Sequence, residues 1–366
     1  MTVTIDMLQG GHGDALVLEY GPSGHTRQLL IDAGTFHAWD GVRASLLKRR
    51  KDRYEVFVIT HVDEDHIGGA ISVLDDPDLK QRVDHVWFNG FIHCQSGGNV
   101  LGPVNGEQLT KRIVEGGFKW NDGFPRPASN AIGGPVVVPS AGALPSRDLP
   151  GGGRIVLLSP TGPKLKSMAK VWKTTVENAG IVAGAGTDGH TTAPSPRSRD
   201  SDPLPDPLDR RAVEKLAAEN KTDSTAANGS SIAFVFEAEG KRVLFGADAH
   251  APVLAAGLKR YAAELGEPRV RLDLVKLSHH GSNANISTKL LELIDCKKWL
   301  VSTNGDNFAH PDDAALAKVI VSATGPVTFF CNYKSARTGP WGVLGRGVGA
   351  TFKFPTATAT SLKVKA

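Results

Sequence analysis

Cysteine is scarce: Cys94, Cys296 and Cys331 are the whole complement, and no two of them form a CxxC pair. So sparse and odd a set excludes a disulfide framework and suits a reducing compartment. No run of about 18 apolar residues occurs, so no membrane-spanning helix is expected. The first ten residues lack the basic segment and apolar stretch of a secretory leader. These absences lead to the expectation of a cytoplasmic protein. An excess of one charge is missing too, since 42 basic residues against 38 acidic leave +4. That balance neither demands nor excludes a nucleic-acid partner, and any phosphate binding must come from a local site. No internal repeat is present.

A chain of 366 residues is long enough for a large core. Its 41 glycines and 22 prolines amount to about 17%, against roughly 12% in average proteins, which signals many turns and long loops. Residues 54–60 (YEVFVIT) form a continuous apolar, β-rich run, the mark of a strand buried on both faces. Further strands are expected near 1–8, 15–20, 28–32, 83–89, 155–159, 231–237, 242–246, 272–277, 299–302 and 327–331. Helices are expected near 40–50, 106–115, 164–178, 252–265, 287–294 and 312–322. Residues 95–153 are Gly-rich and read as an insertion. They carry Lys111, Arg112, Lys119 and Arg126 beside Phe118, Trp120 and Phe124. This is either a nucleic-acid surface or a lid with its own small core. From 184 to 210, five prolines sit among Ser, Asp, Arg and Gly, which reads as a second insertion, a disordered loop with little to bury. The whole chain, 1–366, is taken as one domain bearing these two insertions.

The chemistry concentrates where the 54–60 strand ends. His61, Asp63, Asp65 and His66 lie within six residues, followed by Gly68-Gly69. Imidazole suits zinc, iron or manganese, and carboxylate suits harder ions and can bridge. The glycine pair allows tight backbone packing behind the site. Two more apolar strands end in residues of the same kind: LFGAD delivers Asp248, and LVKLSHHGS delivers His279 and His280.

With these motifs the sequence resembles the metallo-β-lactamase superfamily over most of its length. It looks most like the nuclease-type domain of the ComEC competence proteins and their stand-alone relatives. Matching stretches include LQGGHGDA, LIDAG, THVDEDHIGG, LLSPTGP, NGSSI at 228–232, LFGAD, LSHHGS and NFAHP. The fold this implies is α+β, an αββα sandwich of two mixed β-sheets with helices on the outer faces. The resemblance assigns His61 and Asp63 to a first metal, Asp65, His66 and His279 to a second, and Asp248 to both. It implies two divalent ions, manganese or zinc as cofactors, with Asp63 in place of a more usual His tilting the first position toward manganese. Asn228 stands where the superfamily commonly has another His, as a ligand through its amide oxygen or as a hydrogen-bond partner of water or substrate. His280 is read as a packing residue. Asp14 and Asp32 are either supports for metal-binding histidines or plain turn residues, and His310 becomes an active-site residue.

The expected activity is that of a metal-dependent hydrolase, foremost a nuclease or phosphodiesterase cleaving DNA by a metal-activated hydroxide. Asp65, Asn228 and His310 are its candidate catalytic residues. The alternatives are a phosphodiesterase of small nucleotides, another ester or amide hydrolase, and a non-catalytic metal-binding regulatory protein. Nucleic acid is the expected partner, with room for a regulatory protein and a homodimer, and with no membrane.

Overall fold

A computed structural model describes residues 3–49, 53–94, 104–125, 132–181, 186–187 and 203–366. The described residues build two large sheets. The first has seven strands in the order Ser361–Lys365, Thr4–Leu8, Leu16–Tyr20, Arg27–Ile31, Tyr54–Val58, His85–Trp87 and Lys119–Trp120. The second has eight, in the order Ala350–Lys353, Val327–Cys331, Lys298–Val301, Leu274–Lys276, Lys241–Phe245, Ala233–Ala238, Gly153–Ser159 and Ser146–Leu149.

Alternation along the strands decides which side chains meet. Ile5, Met7, Leu29, Ile31, Val56 and Val58 join Ile155, Leu157, Phe234 and Phe236 in one core between the sheets. The opposite face of the first sheet, with Val17, Leu30, Phe57 and Ile59, packs under helices Trp39–Leu47, Glu64–Asp75, Val104–Glu115 and Gly162–Asn178. This double burial is why residues 54–60 read as an unbroken apolar run. Helices Ala251–Leu265 and Asp313–Ser322 pack against the second sheet through Leu254, Leu258, Leu316 and Val319. The result is the expected αββα sandwich of two mixed sheets.

Strand direction places the site. Lys241–Phe245, Leu274–Lys276 and Lys298–Val301 are mutually parallel neighbours, so their carboxyl ends open on one edge. Tyr54–Val58 ends at the same edge, because the backbone N–H of Ile232 donates to Thr60 O at 3.0 Å. Asn304 N to Gly11 O at 3.0 Å and Asn332 Nδ2 to Leu8 O at 2.8 Å also tie the two halves together there.

Several local expectations change. The helix expected over 287–294 shortens to Thr288–Leu291. Strands Ala350–Lys353 and Ser361–Lys365 and helix Arg210–Ala217 were not anticipated. Most of the Pro-rich stretch 184–210 lies outside the described residues. In the 95–153 insertion, Trp120 is buried and donates Nε1–H to Phe88 O at 2.8 Å, and Arg112 pairs with Asp75 at 2.8 Å. Trp120 is therefore core rather than a stacking platform, and Arg126 lies outside the described residues. No helix among the described residues is long and apolar enough to cross a membrane.

Candidate metal centre

The loop from Thr60 to Asp63 turns directly into helix Glu64–Asp75. Asp63 occupies the N-cap position, yet its side chain makes no capping bond. Instead its Oδ2 stands 3.4 Å from His61 Nε2. Gly69 is required behind this loop, since a Cβ there would lie 2.0 Å from Ala33 O. Gly13, in the early GGHGD turn, passes so close that a Cβ would lie 1.7 Å from Asp65 O. Across the edge, His279 (φ 49°) and His280 (φ 54°) both adopt left-handed backbone. Such a conformation costs of order 1–3 kcal/mol for a non-glycine residue. Two in succession throw both rings from one strand end toward Asp248.

Asp248 is the hub. His66 Nε2 lies 3.4 Å from its Oδ1, while His279 Nε2, His280 Nε2 and His61 Nε2 lie 3.6, 3.7 and 3.9 Å from its Oδ2. Asp65 Oδ2 is 3.2 Å from His280 Nε2 and 3.7 Å from His66 Nε2. Three overlapping groups follow: His61, His66 and Asp248; Asp65, His66 and His280; and, behind them, Asp14, Asp32 and His66. The sequence reading grouped His279 with Asp65 and His66. In the structure it is His280, treated there as packing, that faces them; both rings reach Asp248 Oδ2, and His279 turns its Nδ1 to Asn228 and Asn285. Asn228 and His310 border the group through His279, Asn228 Nδ2 lying 3.3 Å from its Nδ1 and the His310 ring 5.2 Å from its ring.

Hydrogen bonding fixes the tautomer of each imidazole. His66 Nδ1–H donates to Asp32 Oδ2 at 2.8 Å, and His280 Nδ1–H donates to Ser302 O at 2.8 Å. Thr60 gives its hydroxyl proton to Asp32 Oδ2 at 2.7 Å, so at 3.1 Å it accepts from His61 Nδ1–H. Asn285 Nδ2 faces only acceptors, Asp223 Oδ2 and the carbonyls of Asp248 and Ala249, so its Oδ1 accepts from His279 Nδ1–H at 2.8 Å. All four rings therefore turn Nε2 inward, a lone-pair donor in the neutral imidazole.

That arrangement suits a cation. His66 Nε2 and His280 Nε2 are 3.2 Å apart, so a proton or a metal ion must separate their lone pairs. His61 Nε2 and Asn228 Oδ1 are buried with no hydrogen-bond partner. Burial alone would neutralise Asp248 and Asp65. The surrounding imidazoles outweigh it and hold both carboxyls below their usual range. Burial likewise opposes charge on His66 and His280, yet Asp248 with Asp65 and Asp32 raises the first well above normal, and Asp248 with Asp14 raises the second to about 9. Imidazole and carboxylate in this mixture suit zinc, manganese or iron.

Of the supporting layer, sequence reasoning named Asp14 and Asp32 but missed the pairing of Lys276, and Asp223 and Asn285 altogether. Lys276 is buried at 1% exposure and pairs with Asp14, whose Oδ1 lies 3.3 Å from His280 Nδ1. Burial would raise Asp14, but Lys276 and His280 bring it down to about 2. A lysine inside an apolar strand was the available signal. Asp223 and Asn285 gave none. At the rim, Phe308 is 44% exposed and stacks on His310 at 6.1 Å, and His12 meets Phe308 edge-on at 5.9 Å. His310 is itself buried, which lowers its pKa. A groove of about 1430 Å³ opens beside it, lined among others by Phe308, Arg211, Lys215 and Lys221.

No protein-family model and no curated protein matches this chain. Among solved structures it is similar to CmlA, a diiron β-hydroxylase from Streptomyces venezuelae, at 12% identity and a TM-score of 0.43 over 100% of this chain and 54% of that one. This chain thus spans about half the length of CmlA. It is also similar to a metallo-β-lactamase with a HARLDQ motif from Cronobacter sakazakii, at 12% identity and a TM-score of 0.29, over 74% of this chain and 70% of that one. A third likeness is to the MIM-2 metallo-β-lactamase, at 12% identity and a TM-score of 0.31, over 87% of each chain.

Proposed function

We propose that this protein is a metal-dependent hydrolase of phosphodiesters, with DNA as its substrate. The observation that carries the reading is the convergence of four Nδ1–H imidazoles and the Asp65 and Asp248 carboxylates on one buried point, with Asp63 at its edge. His61, Asp63, Asp65, His66, Asp248, His279 and His280 would hold two divalent ions. Bound there, the ions would lower the pKa of water and neutralise charge on phosphoryl oxygens.

The chain's own residues supply the rest. Asp32, Thr60, Ser302 and Asn285 hold the four rings in one tautomer and orientation. His310, outside these donor groups, faces the groove, where a ring N–H can meet charge growing on a phosphate or a leaving oxygen. Arg211, Lys215 and Lys221 give the groove cationic groups for phosphates. Phe308 offers an exposed face on which a base can stack, a contact worth about 1–3 kcal/mol in single-strand binders. A groove of about 1430 Å³ has room for more than one nucleotide, which favours a polynucleotide over a small nucleotide.

The test is incubation of purified protein with plasmid, linear and single-stranded DNA in manganese, magnesium, zinc or iron(II), beside Asp65→Ala. Metal-dependent strand cleavage that Asp65→Ala abolishes supports the reading. Cleavage that survives Asp65→Ala, or none in any metal, overturns it.

A further inference from the structure

Asp223 takes part in none of the chemistry above, yet it is a buried carboxylate in the middle of the site's supporting layer. Its side chain is 6% exposed. Oδ1 accepts from Thr225 N and Thr225 Oγ1, each at 2.8 Å, and Oδ2 accepts from Asn228 Nδ2 at 2.7 Å and Asn285 Nδ2 at 2.9 Å. An ionised carboxylate only accepts, so both asparagines must turn their NH₂ groups toward it. For Asn228 the consequence is specific. The reverse rotamer would set its carbonyl oxygen 2.7 Å from a carboxylate oxygen. The amide oxygen is therefore driven to the other side of the amide, where it is buried and unpartnered, while Nδ2 lies 3.3 Å from His279 Nδ1. Through Asn285, the same carboxylate helps hold the Nδ1–H tautomer of His279.

We infer that Asp223 is a positioning residue for the first metal: it presents Asn228 Oδ1 and His279 Nε2 together as neutral donors, completing a set otherwise made of His61, Asp63 and Asp248. The inference rests on the metal reading of the site. It makes Asn228 a ligand whose orientation is set by a residue five positions earlier. Supporting carboxylates of this kind typically account for 10–100-fold in metal affinity.

Asp223→Asn tests the orientation rather than the packing, because the side chain keeps its size. Thr225 N–H still requires an acceptor, so the new amide would turn its oxygen to Thr225 and its NH₂ to Asn228. Asn228 would then rotate to offer its oxygen to that NH₂ and point its own NH₂ at the metal. Adding Asn228→Asp restores an oxygen on both sides, one to accept from the new amide and one for the ion. Manganese(II) is titrated into purified protein, with free ion read by electron paramagnetic resonance and fold checked by circular dichroism. Wild type should bind two ions. Asp223→Asn should keep one and bind the other 10–100-fold more weakly, and Asp223→Asn with Asn228→Asp should recover part of that loss, because Asn285 Nδ2 still faces the new amide. Undiminished binding by Asp223→Asn overturns the inference, and so does a double variant that recovers none of the loss, which would mark a general structural role. Wild-type protein that binds no ion would instead overturn the metal reading beneath it.

Discussion

Replacing Gly69 by alanine probes the packing that aims the centre. Gly69 lies one turn after Asp65 and His66 in helix Glu64–Asp75, and its N–H donates to Gly34 O at 2.8 Å. A Cβ would stand 2.0 Å from Ala33 O and 2.6 Å from Ala33 C, both backbone atoms. Reaching an ordinary contact of about 3.4 Å requires helix and loop to part by about 1.4 Å. Overpacking of this kind costs typically about 1–3 kcal/mol. At about 2–4 °C per kcal/mol for larger domains, the midpoint should fall by several degrees. Ala33 follows Asp32, which holds His66 and Thr60, so the displacement reaches the ligands, and manganese affinity should fall roughly 10–100-fold. Gly41→Ala is the control, since it lies in helix Trp39–Leu47 with nothing within 4 Å of its Cβ. It should be neutral or stabilising by up to about 1 kcal/mol. Thermal melts and manganese titrations of both variants check the argument. A Gly69→Ala protein that melts and binds manganese like wild type would refute it.

His310→Ala should retain its metals but lose roughly 10²–10⁴-fold in rate on ordinary phosphodiesters, and less on a nitrophenyl diester whose leaving group departs without a proton. Equal losses on both substrates would leave His310 only a charge-stabilising role. Asp63 makes the first position hard, so manganese should support turnover better than zinc, and Asp63→His should reverse that order; an enzyme inert with manganese contradicts the argument. Burial pushes the Cys296 thiol up to about 12 and those of Cys94 and Cys331 higher. All three should resist Ellman's reagent at pH 8 until the chain is unfolded, and rapid labelling of native protein would show that these thiols are not buried.

How legible was all this in the sequence? The candidate loop was readable because an apolar strand ran straight into four ligand-type residues, and the fold kept that order in space. Asp248 and the histidine pair followed the same rule at parallel strand ends. What failed was choosing between adjacent residues. His279 and His280 look alike on paper, and only their two left-handed backbones decide which ring faces Asp65 and which faces Asn228. Helix Arg210–Ala217 escaped because it buries only Val213 and follows a Pro-rich stretch, although Asp209 caps it by accepting from Ala212 N at 2.8 Å. The basic-aromatic pattern near Trp120 left two readings open, because interleaving does not say which side chains are buried. Asp223 and Asn285 were invisible, since a supporting hydrogen bond across 62 positions leaves no spacing to detect.

The central claim is that Asp248 is shared by two cations. Its most direct test is metal content per chain by mass spectrometry, after equilibration with manganese and removal of free ion. Wild type should carry two ions per chain, and Asp248→Asn, which keeps the shape but gives up the bridging carboxylate, should lose both while circular dichroism shows an intact fold. Wild-type protein without bound metal, or Asp248→Asn that still carries two ions, would contradict the account.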